Sequence, residues 1–139
     1  MYLTNLKFQK TDSDSLISLT NKPIIIQSVN FLATVAFRTR QQSLVYLVAD
    51  ADTNEDGKLD SSDIKSLYLS DISGEKFIKI SSEFQEVLDW KIIDSRNRLY
   101  FRAIEDTNKN GKFDKNDTLH YHYVNLLEKE WKSVEFSAV

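Results

Sequence analysis

The sequence predicts an all-β fold in which two four-stranded antiparallel meanders pack in a sandwich-like arrangement. Apolar and polar residues alternate with a period of two along most of the chain, which is typical of strands buried on one face. A segment that begins at Asp52 also recurs from Asp106, 54 residues later, which indicates an internal duplication. With 139 residues, of which 41% are hydrophobic, the chain can fill one core, so we expect a single domain over residues 1–139.

The duplicated segments read DTNEDGKLDSSD and DTNKNGKFDKND. The same offset, held without gaps, aligns further residues outside these segments: Tyr46 with Tyr100, Leu67 with Tyr121, Leu69 with Tyr123, and Phe77 with Trp131. We therefore divide the chain into an N-terminal lead with one strand (1–29), a first repeat (30–83) and a second repeat (84–139).

Each repeat contains four stretches with strand alternation. The lead adds a strand over 24–27, and its first ten or so residues are expected to fray or to lie over a sheet edge. In the first repeat we predict strands over 31–38, 44–51, 65–71 and 76–81, with a turn at DISGE. In the second we predict strands over 87–94, 98–105, 118–126 and 130–136, with turns at DSRNR and LLEKE.

Short connections between successive strands favour antiparallel pairing of neighbours, so each repeat should form one meander. Each sheet must then bury an apolar face, which favours packing the two sheets against each other. No stretch of comparable length shows helical spacing.

Composition excludes several classes of function. The formal net charge of −3 gives no reason to expect a nucleic-acid or membrane partner. The absence of cysteine excludes disulfides, thiolate metal sites and cysteine nucleophiles. The N-terminus lacks the apolar core of a signal peptide, and no run approaches the roughly 20 apolar residues of a membrane span. We find no nucleophile elbow and no phosphate-binding glycine loop.

The first acidic segment has the residue spacing of a cation-binding loop. Short oxygen-bearing side chains fall at alternate positions, a glycine allows a sharp turn, and a backbone carbonyl follows the glycine. Counted from its first residue, positions 1, 3, 5, 6, 7, 9 and 12 are Asp52, Asn54, Asp56, Gly57, Lys58, Asp60 and Asp63. Oxygen ligands in this number suit Ca²⁺ better than Mg²⁺, which keeps its waters, or Zn²⁺, which prefers sulfur and nitrogen.

This spacing resembles the calcium loop of the EF-hand family and, more closely, that of dockerin modules of bacterial cellulosomes. The resemblance implies that calcium is ligated in the first loop by Asp52, Asn54, Asp56, the Lys58 carbonyl and Asp63, with Asp60 acting directly or through water. In the second loop it implies Asp106, Asn108, Asn110, the Lys112 carbonyl, Asp114 and Asp117. Because Asn110 stands where the first loop has Asp56, we predict two calcium sites of which the second is weaker.

The segments that flank the loop are strands and not the helices of an EF-hand or dockerin. The resemblance therefore covers the loop alone, and we expect calcium to act as a structural staple between two strands. The strand sequence RLYFRA, followed by an Asp-rich connection, also resembles the blades of Tol-associated bacterial β-propellers. Two blades cannot close a ring, so the packing is either sandwich-like or blade-like.

Other groups compete for a functional role. Asx-rich turns that bind no metal are the alternative for the loops, although two matched copies favour the metal. His120 and His122 share one strand face and could bind a catalytic metal, but no third histidine supports them. We expect a non-enzymatic, calcium-stabilised β domain, exported to the cell surface, periplasm or medium of a bacterium. The alternative is a carbohydrate- or protein-recognition module that uses exposed aromatic residues.

Overall fold

The computed structural model describes residues 3–9, 11–12, 14–107 and 118–137. Within these residues the fold is all-β, as the sequence predicts, and it also contains one short α-helix that the sequence pattern did not predict. The elements in chain order are β1 Lys7–Phe8, β2 Ile17–Ser18, β3 Ile25–Phe31, α1 Ala33–Thr39, β4 Ser43–Ala49, β5 Lys65–Asp71, β6 Ile78–Lys79, β7 Gln85–Ile93, a 3₁₀ turn Asp94–Arg96, β8 Arg98–Glu105, β9 Thr118–Asn125 and β10 Ser133–Phe136.

Two four-stranded antiparallel sheets form the body of the protein. The first sheet has the order β3-β4-β5-β6 and the second has the order β7-β8-β9-β10. Strands that follow one another in the chain are therefore neighbours in each sheet, which confirms the two meanders. A third, two-stranded sheet pairs β1 with β2 in the N-terminal lead.

One hydrophobic core joins the two sheets. Alternate residues of β4 and β5 in the first sheet, and of β8 and β9 in the second, point into the space between the sheets. The buried residues of this core are Leu32, Val35, Val45, Leu67, Leu69, Ile80, Val87, Leu99, Phe101, Val124, Leu126 and Trp131. Trp131 also donates from Nε1 to the Leu126 carbonyl at 3.1 Å, so its one polar atom is satisfied inside the core.

The prediction of a strand over 31–38 is wrong, because this segment contains helix α1. A strand would point Leu32 and Val35 to opposite faces, whereas one helical turn brings both into the core between the sheets. The helix ends at Arg40, whose φ of +63° is left-handed and whose amide donates to the Ala36 carbonyl at 2.8 Å. The first strand of the first sheet is instead β3, which extends the strand predicted over 24–27.

The N-terminal lead covers the outer face of the first sheet. Leu3 pairs with Ile26 at the edge of β3, where the Leu3 amide donates to the Ile26 carbonyl at 3.0 Å. Lead residues then pack on the outward side chains of β4 and β5 in a second apolar cluster, which contains Leu6, Phe8, Leu19, Ile24, Ile26, Val29, Leu44, Tyr46, Val48, Tyr68 and Phe77. The first sheet is therefore buried on both faces, which explains why the chain has a segment outside the predicted repeats.

In the strands that follow the acidic loops, β5 and β9, the gapless alignment pairs residues that lie on opposite faces of their sheets. Tyr46 lies opposite Tyr68 in the first sheet, and Tyr100 lies opposite Tyr123 in the second. The structurally matching residues of β5 and β9 are thus 55 apart, because the paired tyrosines are separated by one residue more in the second sheet than in the first. A shift of one residue reverses the two faces of a strand. Leu67 accordingly lies in the core, whereas its aligned partner Tyr121 faces outward.

Gly74 is the residue at which the lead touches the turn between β5 and β6. Its φ is +84°, and a Cβ added there would lie 2.5 Å from the Phe8 ring. Gly57 has nearly the same φ, +83°, but a Cβ there would meet nothing within 4 Å. Gly74→Ala should therefore lose more stability than Gly57→Ala, since both incur roughly 1–2 kcal/mol of left-handed strain but only the first displaces Phe8. Urea unfolding in chelator measures both, and equal losses would contradict this packing.

Candidate metal centre

The connection from β4 to β5 is organised around the buried carboxylate of Asp63, which is 0% exposed. Its Oδ1 accepts hydrogen bonds from the amides of Thr53 at 3.1 Å and Asn54 at 3.4 Å, and its Oδ2 accepts one from the Asp60 amide at 2.9 Å. Amide donors stabilise a carboxylate that has been removed from water. Asp63 therefore ties the start of the loop to its end.

Asp52 performs the corresponding task at the first position of the loop. Its Oδ1 accepts from the Asp56 amide at 3.2 Å, and its Oδ2 accepts from the Gly57 amide at 2.8 Å. Gly57 can direct its amide inward because its φ of +83° costs a glycine little. Position six of the loop therefore needs a glycine because the backbone there is left-handed.

Three carboxylates converge in this loop. Asp52, Asp56 and Asp63 each present one oxygen, and these oxygens all lie within 4.8 Å of one another, close enough to share a single metal ion. Two unit negative charges 4.8 Å apart repel by roughly 1 kcal/mol in bulk water and by about 3.5 kcal/mol at an effective dielectric constant near 20. A cation placed between the three would replace this repulsion with attraction.

The other predicted ligands of the first loop have different positions. Asn54 Oδ1 accepts from the Asp56 amide at 3.3 Å, and its Nδ2 donates to Ser62 Oγ at 3.2 Å. Asp60 lies outside the group of three carboxylates and instead accepts from the Ser62 hydroxyl at 2.5 Å and from its amide at 3.0 Å. These two bonds, the hydroxyl first, lower the pKa of Asp60 below its ordinary value. The Lys58 amide donates to Asp56 Oδ1 at 2.9 Å, and ligation by its carbonyl stays a prediction.

Two residues outside the predicted ligand set, Thr53 and Lys65, hold the base of the loop. Thr53 Oγ1 accepts from the Ile64 amide at 2.8 Å, which links the two ends of the connection. Lys65 is nearly buried, and its ammonium donates to the carbonyls of Ser61 and Asp63. Threonine directly after the first aspartate and lysine two residues after the last aspartate were the signals available in the sequence.

Asp50, just before the loop, is committed to other partners. Its Oδ2 accepts from the Tyr68 hydroxyl at 2.6 Å and lies 2.9 Å from the Lys79 ammonium. Burial, followed by the hydrogen bond to Asp50, raises the pKa of Tyr68 above its ordinary value. Asp50 therefore anchors β4 to β5 and β6 and does not join the three loop carboxylates.

The second loop can be compared at its first position alone. Asp106 is buried, at 1% exposed, and its amide donates to the Phe84 carbonyl at 2.7 Å. The remaining predicted ligands lie outside the described residues: Asn108, Asn110, Lys112, Asp114 and Asp117.

The two histidines lie on β9 and contact carboxylates and an amide. His120 places Nδ1 2.5 Å from Glu135 Oε1 and Nε2 2.8 Å from Glu105 Oε1. His122 is 5% exposed, stacks on Phe101 with ring centroids 4.9 Å apart, and places Nε2 3.1 Å from Gln85 Oε1. In the part of the chain that the structure describes, the loop aspartates are the one group of three or more such side chains whose ligand atoms lie close enough to share an ion.

His122 should make the protein less stable as the pH falls. Burial lowers the pKa of His122 below its ordinary value of about 6.5, and His120 adds to this, although Glu135 opposes it. Below about pH 6.5 the unfolded chain gains a proton at this residue that the native protein does not bind, so the free energy of unfolding decreases until the lower native pKa is reached. Urea unfolding between pH 7.5 and 5.5 (about two units) should show a shallower decrease for His122→Gln. Equal slopes would contradict this assignment.

No helix among the described residues combines the length and the apolar character needed to cross a bilayer. Comparisons with models of protein families, with curated proteins and with solved structures find no match to this chain.

Proposed function

We propose that this protein is a non-enzymatic β domain that binds calcium in its β4–β5 connection and is stabilised by it. The observation that supports this proposal most strongly is the convergence of Asp52, Asp56 and the fully buried Asp63 within 4.8 Å. Between Asp52 and Asp63 the sequence places five acidic residues and one lysine, so the loop carries excess negative charge. A divalent cation is the ligand that this charge favours.

Calcium fits this group of residues better than other common metal ions. The three carboxylates, with the nearby Asn54 side chain and the Lys58 carbonyl, are all hard oxygen donors, and calcium accepts six to eight of them in flexible geometry. Bound there, the ion would connect the first, fifth and twelfth positions of the loop. It would thereby hold the end of β4 to the start of β5, which is the action of a structural staple.

The second loop would bind calcium through Asp106 and the residues that follow it, with lower affinity. Asp106 follows the end of β8 as Asp52 follows the end of β4, but Asn110 provides one negative charge fewer than Asp56. Affinities of about 10⁻⁴ to 10⁻³ M are typical of extracellular calcium modules. Sites of this strength are filled outside cells, and we therefore propose that the domain is exported.

Reciprocal exchange of the differing position tests this proposal. Asp56→Asn gives the first loop the predicted ligand set of the second, and we expect it to weaken the tighter calcium site about tenfold. Asn110→Asp should strengthen the weaker site by a similar factor, since it restores a carboxylate. Isothermal titration calorimetry of both variants and of the unaltered chain measures the two sites. The proposal fails if the unaltered chain binds no calcium at millimolar concentration, or if both exchanges leave the affinities unchanged.

A further inference from the structure

The outward face of the second sheet carries a compact group of aromatic and cationic side chains. Because Val124 of β9 and Leu99 of β8 point into the core, their sequence neighbours point outward. We call this surface the outer tyrosine face, and its residues are Arg98, Tyr100, Arg102, Tyr121, Tyr123 and Phe136. Val134 on β10 extends it and is 45% exposed.

The corresponding face of the first sheet is covered. There Tyr46, Tyr68 and Phe77 pack beneath the N-terminal lead, and Tyr46 is fully buried. Tyr100 and Tyr123 hold the matching positions in the register of the second sheet and are half-buried. Neither residue belongs to the apolar cluster that contains the N-terminal lead. Both sheets carry a pair of facing tyrosines on their outer side, but only in the second sheet are both tyrosines of the pair partly exposed.

The accessible face has a concave shape and a positive local charge. An open cavity of 960 Å³ is lined by aromatic rings and by the charged side chains of Asp89, Lys91, Arg96 and Arg102. Asp89 is held by Arg102 through bonds of 2.9, 3.1 and 2.5 Å, so its charge is already compensated. Arg98 adds another cation, which lies 4.1 Å above the Tyr123 ring. The face is therefore cationic on a chain whose net charge is −3.

We propose that the outer tyrosine face is the docking site for an acidic polypeptide segment that also carries apolar or aromatic side chains. Carboxylates of the segment would pair with Lys91 and Arg98, and an apolar side chain would enter the cavity beside Tyr100, Tyr121 and Phe136. Tyrosine and arginine at the centre of a patch, with charge at its rim, are the residues that contribute most to protein-protein binding. This proposal does not rest on calcium binding.

The ring geometry disfavours stacked ligands such as sugars and nucleic-acid bases. Tyr100 meets Phe136 at 88° and Tyr123 at 40°, and Tyr121 meets Phe136 at 54°, so the rings do not form a flat platform. The Arg98 guanidinium also occupies one face of Tyr123. Tilted rings present edges as well as faces, which suits the apolar side chains of a polypeptide.

Charge disfavours two further occupants. A second copy that docked through the same face would bring the uncompensated cations Lys91 and Arg98 against the same cationic surface of its partner, which is repulsive. A long polyanion would sense the net negative charge of the whole chain, whereas a short acidic segment senses local charges within a screening length of about 8 Å. The observations therefore favour a short acidic segment of another protein.

Fluorescence anisotropy with a labelled random copolymer of glutamate and tyrosine tests the proposal. We expect the copolymer to bind more tightly than poly-glutamate, and binding to weaken about tenfold in a Lys91→Gln/Arg98→Gln variant. The matched control is Lys7→Gln/Lys22→Gln, which removes two charges from exposed positions in the lead over the opposite sheet and should leave binding unchanged. Lys91→Gln alone, at an exposed position, should weaken binding in the same direction if the double variant folds poorly.

Polygalacturonate, an oligo-thymidine and the unlabelled chain itself serve as competing probes, in calcium and in chelator. Failure of the copolymer to bind, equal weakening in the two double variants, or tighter binding of polygalacturonate or oligo-thymidine would each overturn the proposal. Self-association that disappears in Lys91→Gln/Arg98→Gln, detected by sedimentation, would also overturn it. Copolymer binding that persists in chelator would support this docking site even if the calcium proposal failed.

Discussion

Asp63→Ala is expected to abolish calcium binding in the first loop and to destabilise the protein even in the presence of chelator. The Asp63 carboxylate is fully buried and accepts hydrogen bonds from three amides. Without it these amides lose their acceptor, at about 1 kcal/mol for each, so the free energy of unfolding should decrease by about 3 kcal/mol. Urea unfolding in chelator measures this part, and calorimetric titration measures the loss of calcium binding.

Asp60→Ala is the matched control for this prediction. Asp60 lies three residues earlier in the same loop, outside the group of three carboxylates, and its side chain contacts Ser62. We expect a much smaller loss of stability and retention of calcium binding. If the two substitutions had equal effects, the central role of Asp63 would be wrong.

Deletion of residues 1–22 is expected to leave a chain that does not fold cooperatively by itself. Leu6, Phe8 and Leu19 would no longer cover the first sheet, and burial of each large apolar side chain contributes roughly 1.5–3 kcal/mol. Their combined loss, about 5 kcal/mol or more, is comparable with the 5–15 kcal/mol that stabilises a typical domain. Urea unfolding followed by near-ultraviolet circular dichroism, together with attempted rescue by a synthetic peptide of residues 1–22, measures the effect.

Point substitutions in the lead separate packing from chain length. Phe8→Ala removes a ring from the apolar cluster and should cost about 2 kcal/mol. Leu16→Ala changes a residue that is 60% exposed in the same segment and should cost no more than about 0.5 kcal/mol. A truncated chain that unfolds with the same midpoint and slope as the full chain would show that the lead is dispensable.

The fold class could be predicted because period-two alternation depends directly on which face a strand buries. The segments containing Val45, Leu67, Leu99 and Val124 follow this rule, and their strands lie where the sequence places them. Segment 33–39 could not be assigned by the same rule. A strand over this segment would place Leu32 and Val35 on opposite faces, and tertiary packing selects the helix that buries both.

The packing of the lead and the register of the second sheet could not be predicted from the sequence pattern. The lead is a weakly periodic segment whose burial depends on contacts with strands far away in the chain, so its role as a cover was not visible. The one-residue shift between the matching positions of β5 and β9 was hidden because it falls after the matched motif. The convergence of Asp52, Asp56 and Asp63 follows the predicted spacing, because a local loop with a left-handed glycine encodes most of its own geometry.

Thermal melting of the unaltered chain in calcium, in magnesium and in chelator tests the central proposal most directly. Ligand that binds the native state alone stabilises it by about 2.7 kcal/mol at 100 times its dissociation constant. In about 10 mM calcium we therefore expect a melting temperature higher by roughly 10 °C than in chelator, with a much smaller increase in magnesium. Identical melting temperatures in calcium and in chelator would contradict the proposal that calcium staples this domain.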